Sequence, residues 1–405
     1  MTDPAPAIFF DDAKGKLAPL RDLRPMSEVR TGALTTRERI CRTFNLSTAA
    51  LFVQTPHTTI AAELVGPDIP INVVPEIDPP LLVINARCPL PLDVFEQLEP
   101  GQAATEAESG DLVAARVTAD QARALLAGDP PDLDTATIED RVLISRPWHV
   151  RTFRDACIDA DLTLLSQSLP ATTDPAGCCH FGDHPLLIAQ GATIFPASIF
   201  DTTNGAIAIH PGATVRPGAT IVGPASIGPG STVLDKAFIK ANTAVGPVCK
   251  VAGEIGGTII QAHSNKGHDG HLGDAWLGEW VNLGAGTTNS NLLNTYGEVT
   301  AVAEPGGPRE RTGETFFGCV LGDHVKAAIS TRIMTGSIVH TGAMWAATAP
   351  ITGCVDRFAW ATDAGIKPYR TDRFLDVMRT SMGRRKIEPS DAYTARVRAL
   401  AEISK

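Results

Sequence analysis

The chain has no excess of basic residues: 35 Lys and Arg stand against 45 Asp and Glu, a formal net charge of −10. An anionic surface repels a polyanion, so nucleic acid is not an expected partner, although a local basic patch can still hold a phosphate. Long hydrophobic runs are missing as well. Nothing approaches the ~20 apolar residues of a membrane span, and MTDPAPAIFFDDAKGK at the start has neither a basic opening nor a sustained apolar stretch. No membrane partner is expected, and a cytoplasmic location is. The 8 cysteines form no CxxC pair, which points to reduced thiols rather than a disulfide framework. CCHFGDH (178–184) gathers cysteines, histidines and an aspartate. Adjacent ligands chelate one ion only under strain and no second Cys pair exists, so no metal site is expected.

What is present is a chain of 405 residues, 43% hydrophobic and 20% charged, long enough for more than one core. Residues 1–185 read as an α/β domain. IFF (8–10), LLVIN (81–85), DLVAARV (111–117) and RVLIS (141–145) suit buried parallel strands. LTTRERICRTF (34–44) and TADQARALLAG (118–128) suit helices. GDPPDLDTATIED (128–140) reads as a loop and PATTDPAG (170–177) as a hinge.

From Ile209 a large aliphatic residue returns every six positions, at Val215, Ile221, Ile227, Val233, Ile239, Val245 and Val251. Two residues before each from Val215 onward stands a small side chain: Ala213, Ala219, Ala225, Ser231, Ala237, Thr243, Cys249. Neither a helix nor an alternating strand has this period. A parallel β-helix does, because short flat faces meet at corners that admit only small residues. The solenoid is expected over 186–355, with the polar stretch 291–316 projecting from it as a loop insertion, and 356–405 as a helical tail.

The chemistry-bearing stretch is SNKGHDGHLGDAWLGEWVNLGAGTTNSN (264–291). Gly267 and Gly270 flank His268 and allow the backbone to bulge and hold the imidazole at the surface. A ring that titrates near neutrality can take the proton an attacking ammonium must lose. The glycines of NLGAG admit close approach of a carrier chain.

In His268, His271, Leu272, Gly273, Asp274, Asn282, Gly284, Ala285, Gly286, Thr287 and Asn291 the chain resembles the acetyltransferase half of the bacterial bifunctional enzymes that acetylate glucosamine-1-phosphate and then uridylylate it. His271 stands where that family has tyrosine. Over Phe10 to about Lys386 it is similar to a subgroup of sugar nucleotidyltransferase-like proteins. The resemblance implies a left-handed hexapeptide β-helix, an acyl-CoA-dependent acyltransferase using acetyl-CoA on an amino-sugar phosphate, and a homotrimer with sites between prisms. It implies His268 as base, with Asn282 and Asn291 orienting base and sugar; for both, a solenoid corner is the alternative reading. Lys266 and His271 become candidate substrate contacts, each also readable as a plain surface residue. Ala285, Gly286, Arg384, Arg385 and Lys386 become candidate carrier contacts.

Sugar nucleotidyltransferases open on a Gly-rich phosphate loop. Leu17, Pro19, Leu20, Arg24 and Pro25 keep that framework, but the loop glycines do not align and Met26 replaces the catalytic lysine. After the central strand the chain has Asn85 and Arg87 where a magnesium-binding aspartate is expected. Uridylyl transfer is therefore doubtful, and magnesium is implied only if this domain is active. Asp11, Asp12, Lys16, Arg24 and Arg30 form a candidate alternative nucleotide site. Two rival readings stay open: a nucleotidyltransferase with a rebuilt loop, and a non-catalytic nucleotide-sugar scaffold.

Overall fold

A computed structural model describes residues 3–172 and 175–403, so the expected hinge 170–177 lies partly outside them. The contacts divide the chain into two compact units. The first comprises residues up to 15, 23–29 and 34–145; the second comprises 16–22, 30–33 and the chain from Arg146 onward.

The first unit runs β1 (Ala5–Phe10), α1 (Thr36–Thr43), β2 (Leu46–Phe52), α2 (Thr58–Val65), β3 (Leu81–Asn85), α3 (Val94–Gln97), β4 (Gln102–Glu106), β5 (Leu112–Val117), α4 (Ala119–Ala127) and β6 (Asp134–Ile138). Its sheet has the order β2-β1-β3-β5-β4-β6. The apolar runs of β1 and β3 pair in parallel, as expected, whereas β5 runs antiparallel to both β3 and β4. Both predicted helices form between capping boxes: Thr35 with Glu38, and Thr118 with Gln121. Gly128 closes α4 at φ 88, a conformation that favours glycine.

Two further expectations fail in this unit. RVLIS forms no strand, although Val142, Leu143 and Ile144 are buried. The sixth strand is instead DTATI, inside the stretch read as a loop. Its side chains are almost all exposed, so an edge strand left no apolar signature.

In the second unit the six-residue repeat becomes a parallel β-helix. Ile209 pairs with Ile227 and Ile227 with Val245 on one face; Val215, Val233 and Val251 pair on the second; Ile221 and Ile239 pair on the third. Each of these aliphatic residues is at most 2% exposed, and the small residues two positions before them are equally buried. The expected insertion, 291–316, does not project freely. Thr300–Ala301 and Glu310–Arg311 form an antiparallel ribbon, with Val299, Ala301 and Ala303 buried.

Helix α5 (His149–Ser166) belongs to this unit rather than to the first. Arg154 donates to the Gly257 carbonyl at 2.5 Å and to Asp274 at 2.6 Å. The tail forms α6 (Thr371–Gly383) and α7 (Asp391–Ile403). Among the described residues no helix is long and apolar enough to cross a membrane.

One corner of the prism positions the tail. Val248, His263, Trp280, His324 and Phe358 all adopt left-handed φ angles between 51° and 60°, and corner N–H groups bond to the coil below, as in His263 N to Pro247 O (2.8 Å) and His324 N to Glu279 O (2.7 Å). The conformation turns the side chains outward, where they stack: the rings of His263 and Trp280 lie 4.4 Å apart in nearly parallel planes. Phe374 of α6 packs edge-on against His324 and Phe358, and the Tyr393 hydroxyl of α7 lies 2.8 Å from His324 Nε2. Apolar ring contacts thus seat the helical tail on the solenoid.

Candidate functional site

His268 is exposed, on a turn (267–270) that replaces the tight corner of the neighbouring coils. Glycine is required here: Gly270 has φ +121, and a Cβ would lie 2.1 Å from the Thr287 carbonyl oxygen. The turn stacks directly on the corner holding Ala285 and Gly286, whose Gly286 N–H donates to the Asp269 carbonyl at 3.2 Å. The candidate base and the candidate carrier contacts Ala285 and Gly286 therefore share one edge of the prism.

His271 and Asn291 meet over the next face. A Cβ on Gly273 would lie 2.4 Å from His271 Nε2 and 2.8 Å from Asn291 Nδ2, so the bare glycine makes room for both. Asn291 donates to Asp274 Oδ2 at 2.7 Å. The other Asp274 oxygen takes Arg154 at 2.6 Å and Arg151 at 3.1 Å. His271 Nδ1 lies 3.4 Å from Glu254. Beneath them the buried Asn289 amide both accepts from Gly273 N and donates to Gly273 O, each at 2.8 Å, standing in for a strand. Sequence reasoning missed Asn289 because an amide acting as a strand leaves no periodic signal.

Lys266 corrects an expectation. It occupies an interior slot of the prism, paired with Val251, and is 2% exposed, so it does not meet a substrate phosphate. Its Nζ donates to the carbonyl oxygens of His268 at 2.5 Å and Ala252 at 3.3 Å. Burial pushes its ammonium down to about 8, although Asp269 opposes the shift.

Asn282 lies on the adjoining face, where it accepts from Asn265 Nδ2 at 3.0 Å. It lines a cavity of about 360 Å³ together with Lys250, Lys326, His263, Trp280, Arg384 and Arg385. Lys386 does not line it. Of these residues the sequence pointed only to Asn282, Arg384 and Arg385.

The candidate nucleotide residues are not gathered. Asp11 and Asp12 line a cleft of about 1000 Å³ in the first unit, with Phe10, Lys14, Phe52 and Leu126. Arg24 is buried outside that lining. Lys16 and Arg30 belong to the second unit, where Lys16 pairs with Glu304 at 3.5 Å and Arg30 Nη1 donates to the Ala33 carbonyl oxygen at 2.5 Å.

Nor do the residues fit a magnesium ion. Asp12, which lines the cleft, and the nearby Asp111 are both taken by the buried Arg87 guanidinium: Asp12 at 2.9 and 2.5 Å, and Asp111 at 2.5 Å. Lys14 also pairs with Asp111. Burial would raise the Asp111 carboxyl, but Lys14 and Arg87 outweigh it and hold it below its ordinary range. Among the described residues no three His, Cys, Asp or Glu side chains converge to hold a metal. The guanidinium thus engages the carboxylates that a divalent cation would need.

Residues 7–169 match a family model described as sugar nucleotidyl transferase. The bifunctional protein GlmU of Synechococcus sp. (strain CC9311) is 28% identical over 169 residues, 37% of this chain and 34% of that protein. GlmU of Acaryochloris marina is 30% identical over 128 residues, 31% of this chain and 26% of that protein. The chain thus spans about a third or less of the curated relatives it matches. Among solved structures, the UDP-N-acetylglucosamine acyltransferase of Francisella novicida is 12% identical, covering 53% of this chain and 74% of its own, with a TM-score of 0.21. The acetyltransferase domain of PglB from Neisseria gonorrhoeae is 11% identical, covering 71% and 86%, with a TM-score of 0.20.

The chain combines an α/β unit, in the region that matches the sugar nucleotidyl transferase model, with a parallel β-helix built on a six-residue repeat. It is similar to the GlmU proteins over the matched segments.

Proposed function

We propose that the protein is an acyl-CoA-dependent acyltransferase that N-acetylates an amino-sugar phosphate, with His268 as general base. One observation carries this reading: the exposed imidazole stands on a glycine-flanked turn stacked against the Ala285–Gly286 corner. In the reaction the acceptor amine attacks the thioester carbonyl carbon, its proton passes to the His268 ring, the carbon–sulfur bond breaks and the thiolate leaves, taking up a proton. Asn282 and Asn291 orient base and sugar, and His271, beside Asn291 over Gly273, contacts the acceptor. Ala285 and Gly286 give the carrier close access to backbone, while Arg384, Arg385 and Lys386 meet its phosphates. Lys266 acts from behind, holding the His268 carbonyl.

The site is assigned to a homotrimer, in which the corner of one prism faces its neighbour. Nucleotidyl transfer by the first unit is not favoured, because Arg87 neutralises the acids a metal would need.

The test is thiol release from acetyl-CoA with a panel of amino-sugar phosphates. Acceptor-dependent release supports the reading. No release with any acceptor, by protein that melts cooperatively, rejects it.

A further inference from the structure

Helix α5 reaches the candidate site through one carboxylate. Asp274 stands at a corner of the prism with a left-handed φ of 45°. The coils on either side fix its backbone: its N–H donates to the Gly256 carbonyl at 3.0 Å, and its carbonyl accepts from Gly318 N–H at 2.8 Å. The side chain divides its two oxygens. Oδ1 takes Arg154 at 2.6 Å and Arg151 at 3.1 Å, both from α5, while Oδ2 takes the Asn291 amide at 2.7 Å. The preceding coil keeps its corner bare for the guanidinium, since a Cβ on Gly257 would lie 2.5 Å from Arg154 Nη1 and 2.7 Å from Asp274 Oδ1. With the Arg154 side chain only 5% exposed, this is a desolvated and geometrically fixed pair, unlike a surface ion pair. The same helix holds the ribbon into which the chain runs after Asn291: Thr152 donates to Glu314 at 2.8 Å, and Arg146, just before α5, pairs with Glu310 at 2.7 Å.

We propose that Arg154 and Asp274 are positioning residues that set which end of the Asn291 amide meets the acceptor, a role that rests on the acyl-transfer reading. A carboxylate only accepts hydrogen bonds, so the amide nitrogen of Asn291 must face Asp274. The carbonyl oxygen is the end left for a ligand, and it has no hydrogen bond among the described residues. It receives an N–H or an O–H. The amine or a hydroxyl of the sugar therefore meets Asn291, and the phosphate does not. His271, beside Asn291 over Gly273, bounds the same spot. Arg154 itself touches no reacting atom; it acts through the carboxylate, and its loss misaligns the acceptor while leaving the base alone.

Steady-state acetyl transfer by the full-length protein tests this. Arg154→Met leaves Asp274 paired with Arg151 and should raise the acceptor KM about tenfold, with the KM for acetyl-CoA and the pH profile of kcat unchanged. Arg154→Lys should recover most of the loss. Because Arg154 acts through Asn291, Arg154→Met should add nothing to the acceptor KM of Asn291→Ala. A merely structural arginine would spare the acceptor KM or add its effect to that of Asn291→Ala, and either result overturns the proposal. Should Arg154→Met fail to melt cooperatively, Asp274→Asn carries the same test with the same expected rise, since its amide can meet Asn291 either way round. A wild type that transfers acetyl to no acceptor removes the acyltransferase reading. The crystal structure of the folded variant then decides the positioning alone: an Asn291 amide turned or displaced over Gly273 supports it, and an unmoved amide overturns it.

Discussion

The ammonium of Lys266 lies 2.5 Å from the carbonyl oxygen of His268, inside a prism whose neighbouring slot holds Val251. A charge in that position costs desolvation and recovers it only through the carbonyls it caps. The candidate base is therefore held from within, by a side chain that never reaches the surface.

Lys266→Met keeps the volume of the slot and removes the tether. Turnover should fall about tenfold, on the order of one lost charge-assisted hydrogen bond, with the acceptor KM nearly unchanged. The substitution also has a pH signature. The folded ammonium titrates near 8, against 10.5 for an ordinary lysine. Between those values the unfolded chain binds more protons, so stability rises with pH across that window, by up to roughly 3 kcal/mol from this group. Urea unfolding at the two ends of the window should show the rise in the wild type and its reduction in Lys266→Met; equal slopes would contradict the assignment.

Gly270→Ala and Gly306→Ala separate backbone strain from close packing. Both glycines have positive φ, but only Gly270 faces a carbonyl oxygen at 2.1 Å, whereas nothing lies within 4 Å of a Cβ on Gly306. Thermal unfolding should show a loss of about 1 kcal/mol for Gly306→Ala and at least about 3 kcal/mol for Gly270→Ala.

Arg87→Gln leaves Asp12 and Asp111 facing each other without the guanidinium that bridges them. Denaturant titration should register a loss of about 3–5 kcal/mol, and adding Asp12→Asn should restore part of it. The wild type should release no pyrophosphate from a nucleoside triphosphate and a sugar phosphate with magnesium present.

The solenoid was legible because its interior slots repeat as Val, Ile and Ala. The same rule concealed Lys266, since a lysine reads as surface wherever it stands. It also concealed β6, whose exposed DTATI carries no apolar alternation. The turn around His268 was readable from Gly267 and Gly270. The basic cavity was not: Lys250, Lys326 and Arg385 are distant in sequence and meet only because coils stack and Phe374 seats the tail on the aromatic corner.

The most direct measurement is acetyl transfer by His268→Ala, compared with the wild type in proteins of matched circular dichroism and melting. His268 is exposed, so fold and assembly should be unaffected while turnover drops about 100-fold or more. Undiminished turnover in the folded variant would contradict the assignment of the base and, with it, the function argued from this corner.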